Sequence, residues 1–492
     1  MEKKIFKTDR KIKSKVKFAE IVGDVIVPDV KPDIVTLINI SSACYVQKEE
    51  KSNGRLRLDG EIVSYISYIS DNAETRSIET SFNMVEQIES ECINENTKVD
   101  CKVYIDSEDI KLLNERKVQV RIMLKLVCDF YEEYNLEISD IENDDALKKY
   151  KIEKRESKLE LKNKIACNEN KATIKEKMNL GDNVEAVEII KVSKFILGVE
   201  NKISINKVLS KADFKLNVMF INENGTIGIK EETFPVMAFI DIPGVNENDL
   251  LNVDYKINNV SLRLDLEKRN VLEVDAEFEV RCECYQKEEI SLIEDMYSLD
   301  KELAFLKKDV NVLECAKQYI DTSNIYEKIK VEDMTNVLDL DVNVKEIMND
   351  GSGKLDLVIV YETNNKNIIN VKKEEVSFKI NLKENEFNIV DDLEFAIINK
   401  KCTSSGEYVD CEVLLEIRYP KFKEKTVSLL DQVEIKDKAI QDSAISMYFV
   451  KPGDSLWEIA KKFGVKKETI IEVNELEDEN DLVVGDKLFI IR

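Results

Sequence analysis

Three stretches of the chain alternate apolar and polar residues almost without a break. The first is Val118, Val120, Ile122, Leu124, Leu126, Cys128 and Phe130. The second is Leu272, Val274, Ala276, Phe278, Val280, Cys282 and Cys284, and the third is Val409, Cys411, Val413, Leu415, Ile417 and Tyr419. The residues between are mostly charged, as with Glu273, Asp275, Glu277, Glu279 and Arg281 in the second. Period two puts alternate side chains on opposite faces of a strand, so each run predicts a strand with one face in a core and one in water. An earlier alternating run precedes each: Leu56, Leu58 and Ile62 around Gly60; Phe214, Leu216, Val218 and Phe220; Leu355, Leu357, Ile359 and Tyr361. The two runs start roughly 60 residues apart in every case, and the pairs recur about every 140 to 160 residues, which is the mark of an internal repeat. Further strands lie between, as at Cys101-Val103-Ile105 and Val253-Tyr255-Ile257. Many half-buried strands per unit predict a mainly β protein of three repeated antiparallel domains, sandwich or barrel-like, with strand order left open.

Each unit closes on a charged stretch: Ser139 to Asn163, Gln286 to Lys308 and Lys421 to Ser446. These have the composition of connectors, helix or linker, rather than of core. The predicted division is a basic leader at 1–17, β units at 18–145, 146–300 and 301–435, a linker at 436–446 and a small domain at 447–492.

The small domain changes period. A strand (Tyr448, Phe449, Val450) runs into the turn Pro452-Gly453-Asp454-Ser455, where Asp454 or Ser455 can cap a helix. Leu456, Ile459, Ala460 and Phe463 follow at helical spacing, and Gly464 supplies the stop. A second helix carries Ile470, Ile471 and Val473 to Asn474, and a final strand, Lys487 to Ile491, follows Gly485-Asp486. The order is βααβ.

This segment resembles a LysM domain over its whole length. The resemblance is carried by Tyr448, Val450, Gly453, Asp454, Ser455, Leu456, Ile459, Ala460, Phe463, Gly464, Val465, Ile470, Asn474, Leu476, Leu482, Gly485, Leu488 and Ile490. LysM domains typically bind N-acetylglucosamine-containing polymers such as peptidoglycan, some bind proteins, and they are not catalytic. The segment departs from the family at Val484 and Asp486, where Pro and Gln are usual, which puts sugar affinity in question. The family's groove position implies partner or glycan contact at Gly453, Asp454, Ser455, Leu456 and Trp457, facing Asn474, Glu475 and Leu476 in the loop that runs to Leu482. Asp454 and Asn474 also have plain structural readings, as a cap and a helix-end residue.

Trp457 is the sole tryptophan. It falls off the inward stripe of the first helix, which leaves two readings: partial packing at the domain edge, or an exposed aromatic anchor for a partner. The facing loop is acidic (Glu475, Glu477, Asp478, Glu479, Asp481), and that favours a basic partner surface over a neutral glycan.

The first unit contains IVGDVIVPDVKPDIVTLI at Ile21–Ile38, LDGEIVSYISYIS at Leu58–Ser70 and NERKVQVRIMLKL at Asn114–Leu126. These resemble the repeated SPOCS domain of clostridial spore-coat proteins, through Gly23, Asp24, Val30, Lys31, Pro32, Asp33, Ile34, Gly60, Ile66, Tyr68, Asn114, Arg116 and Lys117. The second unit keeps Gly181-Asp182 and Lys268-Arg269, and the third lacks both signatures. Three such units before a LysM resemble the SipL-type spore-coat morphogenetic proteins, counterparts of SpoVID in bacilli. That resemblance implies a coat-assembly scaffold in the mother-cell cytoplasm at the forespore surface, with the SpoIVA-type coat ATPase and other coat proteins as partners.

Composition narrows the alternatives. A formal net charge of −25 argues against nucleic acid and anionic membrane as partners of the whole chain. No apolar run approaches the ~20 residues of a membrane span. The basic leader has the look of a signal-peptide n-region, but Glu20, Asp24, Pro28 and Asp29 interrupt the stretch after it, so no signal peptide is read. The leader reads as a disordered segment or an edge strand, with charge attraction to an acidic membrane as a further role. A LysM that stays in the cytoplasm does not meet wall peptidoglycan, so the glycan-binding alternative requires a route out. The ten cysteines include no CxxC pair, and with no histidine they read as core thiols, Cys282 and Cys284 sharing one strand face. The absence of His removes imidazole-dependent triads and metal sites. No Walker A, GxGxxG or GxSxG is present, and Glu477-Asp478-Glu479 and Asn143-Asp144-Asp145 read as solvated loops. No enzyme activity, cofactor or metal is expected.

Overall fold

The computed structural model describes residues 2–140, 149–182, 184–265, 267–315, 320–348, 350–364, 368–381, 394–418, 422–437, 445–478 and 481–491. Asn143-Asp144-Asp145, Tyr419 and Glu479 lie outside the described residues. The first unit consists of β1 (Glu2–Ile26), β2 (Ile34–Ser52), β3 (Arg55–Ser70), β4 (Thr75–Glu89), β5 (Lys98–Asn114) and β6 (Lys117–Asp140). Its sheets, ordered β1-β6-β5 and β2-β3-β4, share one core in which Leu56, Ile62, Ile66, Leu124 and Phe130 are fully buried. This is a sandwich, because two half-apolar faces can bury only against each other.

The second unit repeats the plan. It comprises β7 (Ile152–Asn179), β8 (Ala186–Ser204), β9 (Lys207–Asn222), β10 (Ile227–Asp241), β11 (Leu250–Leu264) and β12 (Val271–Ser298), with β10-β9-β8 packed on β11-β12-β7. In the third, β15 (Met334–Ile347), β16 (Ser352–Thr363) and β17 (Ile369–Lys379) face a sheet ordered β14-β19-β18, from β14 (Ile320–Lys330), β18 (Glu394–Ser405) and β19 (Tyr408–Arg418). β13 (Lys301–Cys315) precedes it and pairs with β20 (Phe422–Asp437), which follows it.

Matching bulges recur in all three units. The register of β2, β8 and β15 against its neighbour shifts around Ile38, Ile190 and Leu338 respectively. A bulge adds one unpaired residue and re-aims it. Here the three re-aimed residues meet in a cluster between the units, with Met219, Ile221, Val360 and Ile369.

The described parts of the charged stretches are a correction to the sequence reading, being strands rather than helix or linker, while 141–148 and 438–444, most of the predicted linker at 436–446, lie outside the described residues. β7 begins at Ile152, β12 continues to Ser298, and β20 spans Phe422–Asp437. Beyond the first two sandwiches the first strand stays paired with the last, β1 with β6 and β7 with β12, and the strands flanking the third pair likewise, β13 with β20. These ribbons converge on a hub in which Phe6, Leu136 and Ile138, Leu159, Leu161 and Leu292, and Val312, Val427 and Leu429 pack together. Their other faces carry cross-strand ion pairs such as Lys158–Glu289 and Glu160–Lys287, both 2.6 Å. Charge on the wet face outnumbers the apolar residues that point to the hub, so composition masks the period. The leader is likewise strand: β1 runs from Glu2 to Ile26 without a break at residue 17. Lys17 contacts Glu86 at 2.6 Å, and Asp9 holds both Lys98 (2.6 Å) and Lys164 (3.0 Å).

The signature residues of the first unit build one corner of its sandwich. Arg116 donates to the Asp33 carboxylate and to the carbonyls of Val27, Pro28 and Lys31, while Asp24 pairs with Lys117 at 2.7 Å. Tyr68 Oη donates to the Pro32 carbonyl (3.1 Å). Lys31 leaves this corner and bridges to the second unit through Glu188, 2.6 Å away. The cysteine reading needs one correction: Cys101 and Cys128 stand directly opposite on β5 and β6 and are disulfide-bonded. Cys282 and Cys284 are both buried on one face.

Two lysines mark the seams. Lys191 is buried against Asp339 and Asp341 of the third unit. Burial alone would depress its ammonium, but the two carboxylates outweigh it and raise it. Lys194 lies 3.6 Å from the Tyr45 ring centroid, its Nζ buried with no hydrogen-bond partner among the described residues. Burial pushes it down to about 7, against a smaller opposing pull from Cys44.

Lys191→Ala removes one of the two cations that hold the half-buried Asp339 and Asp341, leaving Lys400 at 3.8 and 3.0 Å, and should cost roughly 1–3 kcal/mol in a denaturant melt; a change below about 0.5 kcal/mol would show that the seam does not depend on Lys191. The folded state holds Lys194 below its unfolded pKa, so it binds fewer protons there and gains stability as pH rises from about 7 toward the ordinary lysine value. Lys194→Met should therefore raise the melting temperature at about pH 7, with the gain vanishing near pH 10.

Candidate functional site

The C-terminal domain is built from β21 (Ile445–Phe449), α1 (Leu456–Phe463), α2 (Lys467–Val473) and β22 (Lys487–Ile491). Gly453, exposed, takes φ +87°, a backbone state that a Cβ disfavours. Ser455, rather than Asp454, caps α1: its Oγ accepts from the Glu458 amide (3.2 Å). Asp454 instead ties the turn, accepting from the Lys451 amide and the Tyr448 hydroxyl, both 2.8 Å. Those donors, the amide first, hold its carboxyl below the usual range. Gly464 ends the helix at φ +64°.

Asn474 has the structural role. Its Nδ2 donates to the carbonyls of Ile470 and Phe489 (2.8 Å each), and its Oδ1 accepts from the Phe489 amide (2.7 Å), which locks the end of α2 to β22. Glu475 is exposed, Leu476 packs partly into the domain core, and Leu456 is buried in it. Hydrogen bonds from Val450 N to Asp486 O and from Gly485 N to Val450 O (2.9 Å each) set the turn after β21 beside the loop before β22. The structure thus keeps Gly453, Asp454, Ser455 and Glu475 at or near the surface, and withdraws Leu456 and Trp457 from it.

Trp457 requires the main correction. It is 5% exposed, and it points into the rest of the chain instead of toward solvent. Its indole Nε1 donates to Asp295 Oδ2 at 2.6 Å, and Lys461 Nζ reaches both oxygens of that carboxylate at 2.7 and 2.8 Å. The ring meets Tyr297 edge to face, 5.0 Å between centroids, and Tyr297 Oη donates to the Val465 carbonyl at 2.8 Å. Arg155 lies 5.7 Å over the indole. The domain is therefore seated on the end of the β7–β12 ribbon. Burial by itself would push the Asp295 carboxyl up, but the hydrogen bonds from Lys461 and Trp457 outweigh it and hold the acid below its ordinary value. Sequence reasoning missed Asp295 and Tyr297 because they fall in a stretch read as a connector; Ile290 and Leu292 at period two were the available signal.

A second feature was also missed. Ser446, Tyr448, Leu488 and Ile490 form the inner face of the β21–β22 sheet, and the outer face presents Ile445, Met447, Phe449, Phe489 and Ile491, all between 41% and 64% exposed. The run ISMYF carries the signal, because Ile445, Met447 and Phe449 recur at period two on the face opposite Ser446 and Tyr448.

The LysM domain family matches residues 448–490. No curated protein matches the chain, and no solved structure does. Among the described residues no helix is long and apolar enough to cross a membrane, and no group of three or more Cys, Asp or Glu stands together as a metal site.

Asp295→Ala leaves the indole N–H and the Lys461 ammonium without their acceptor, and should weaken the seating by roughly 2–4 kcal/mol. Limited proteolysis ahead of Ile445 should then release the domain faster than from the wild type; equal rates would mean that the carboxylate does not hold it. Because the acid is depressed in the folded state, its stabilisation is present above the ordinary Asp value and lost as pH falls below it, so release should quicken on acidification through about pH 4.

Proposed function

We propose that the chain is a non-enzymatic assembly scaffold whose LysM domain docks a protein partner, the SpoIVA-type coat ATPase of the forespore surface, and thereby helps to localise coat around the forespore. The place of action in this reading is the mother-cell cytoplasm, with other coat proteins binding the β units. The observation that carries it is the apolar outer face of the β21–β22 sheet. A solvated module does not expose five large apolar side chains on one face without a cost in solubility, and such a face beside an acidic loop suits an apolar protein surface with a basic rim. A polysaccharide has no use for it, being held by hydrogen bonds and ring faces within a groove. The SPOCS-like signature of the first unit and the three-unit plan support the same reading by resemblance.

The second reading is binding of an N-acetylglucosamine-containing glycan such as peptidoglycan. The LysM match favours it, as does the exposed turn at Lys451–Gly453, which the seating of Trp457 leaves open.

The full chain and its Met447→Asp/Phe449→Asp variant, titrated against purified SpoIVA-type ATPase and sedimented with insoluble peptidoglycan, separate the two. Saturable binding to the ATPase that falls at least tenfold in the variant, a loss of about 1.4 kcal/mol or more, is the expected result. Co-sedimentation with peptidoglycan that the variant leaves intact, without ATPase binding, would replace the protein-docking reading by the glycan one.

A further inference from the structure

The three units provide their own internal comparison. Val25 faces Val118 on β6, Met178 faces Leu272 on β12, and Ile329 faces Val409 on β19. These register marks align β1, β7 and β14 residue for residue. At the four outward positions where β7 carries Glu169, Lys171, Lys175 and Asn179, β1 carries Val16, Phe18, Val22 and Ile26. At the last three of those positions β14 carries Thr322, Tyr326 and Lys330. The sandwich therefore folds with polar residues on this face, and folding does not require the apolar ones of the first unit.

All four are exposed, between 49% and 71%. Tyr104 on β5 extends the surface across the sheet, in the row that runs Phe18, Lys125, Tyr104. Two acids within the face are paired, Glu20 with Arg121 at 3.0 Å and Asp24 with Lys117 at 2.7 Å, and Lys125 stands between Phe18 and Tyr104. On a chain of net charge −25 this is a nearly charge-balanced face, apolar along β1. It measures about 35 Å along the strands and about 14 Å across three of them, or roughly 500 Å² per molecule.

We propose that this face is an isologous docking surface for a second copy of the chain, the two sheets packing face to face about a twofold axis. Two observations select a second copy over another protein. A face whose charges nearly cancel offers little to a partner recognised by charge, and it is where two strongly acidic chains meet with least repulsion. Two such planes together bury roughly 1,000 Å², the lower bound of a specific interface, so the dimer is weak and concentration-dependent. Salt screens the repulsion between the acidic bodies and leaves the apolar contact, so the dimer tightens as salt rises.

Sedimentation velocity of the full chain over a concentration series tests this. The test uses the double substitution Phe18→Lys/Val22→Lys, which installs the residues that the second unit carries at the same positions, and Phe239→Lys on the second unit as a control. Expected are a monomer–dimer equilibrium in the wild type that strengthens with salt, a dissociation constant raised at least tenfold by the double substitution, and no change in the control. In the wild type alone, hydrogen exchange of residues 16–26 should slow as concentration rises, a readout that stands even if the double variant folds poorly. A chain that stays monomeric at its highest soluble concentration, a dimer indifferent to the double substitution, or exchange independent of concentration would each overturn the proposal, and so would a different protein occupying this face while the chain remains monomeric.

Discussion

Each unit is closed by the pairing of its first strand with its last, and the rest of the architecture hangs on that pairing. Within the sandwich, the pairing seats the central strand of one sheet. Beyond it, β1–β6 and β7–β12 continue as ribbons, and β13–β20 forms the third. Such a ribbon is marginal alone, since a two-stranded sheet has one face to bury and nothing to bury it on. Three ribbons in one chain supply each other's missing layer, which is how residues as far apart as Phe6, Leu161 and Val427 come to share a core. The bulges at Ile38, Ile190 and Leu338 do the same for the sandwiches: each gives up a ladder position to aim an apolar side chain at the common centre.

That arrangement explains what the sequence discloses and what it hides. The six alternating runs correspond to β3, β6, β9, β12, β16 and β19, and every one is a central strand of its sheet. A central strand is paired on both edges and packed on one face, so its period is strict. Edge strands carry bulges, and a bulge breaks period two; β2, β8 and β15 were harder to read for that reason. The ribbons were misread because their wet faces are densely charged and their dry faces meet partners from other units, which local patterning does not reveal. The LysM was legible residue by residue, because its caps and turns are local: Ser455 on Glu458, Gly453 and Gly464 at positive φ. Trp457 was not, because its acceptor lies on another strand, 162 residues away in the chain.

The consequence for function is that the LysM is presented rather than tethered. Its α1 side rests on Asp295 and Tyr297, and the groove turn and the outer face of the β21–β22 sheet stay exposed. Buried in this contact, the one tryptophan no longer serves as a free anchor, and the apolar sheet face takes its place as the feature that favours a protein partner. A scaffold gains from that stiffness, since a ligand held on a rigid body is positioned relative to everything else the body binds.

The seating of the domain is the claim on which this account turns, and the single indole reports it directly. Acrylamide quenching of the full-length wild-type chain reads the solvent access of Trp457 alone. A blue-shifted emission and strong protection from quencher, both lost on unfolding, are the predicted result. Quenching at the rate of a free indole in the folded chain would contradict it, and would return Trp457 to the surface as an anchor for something else.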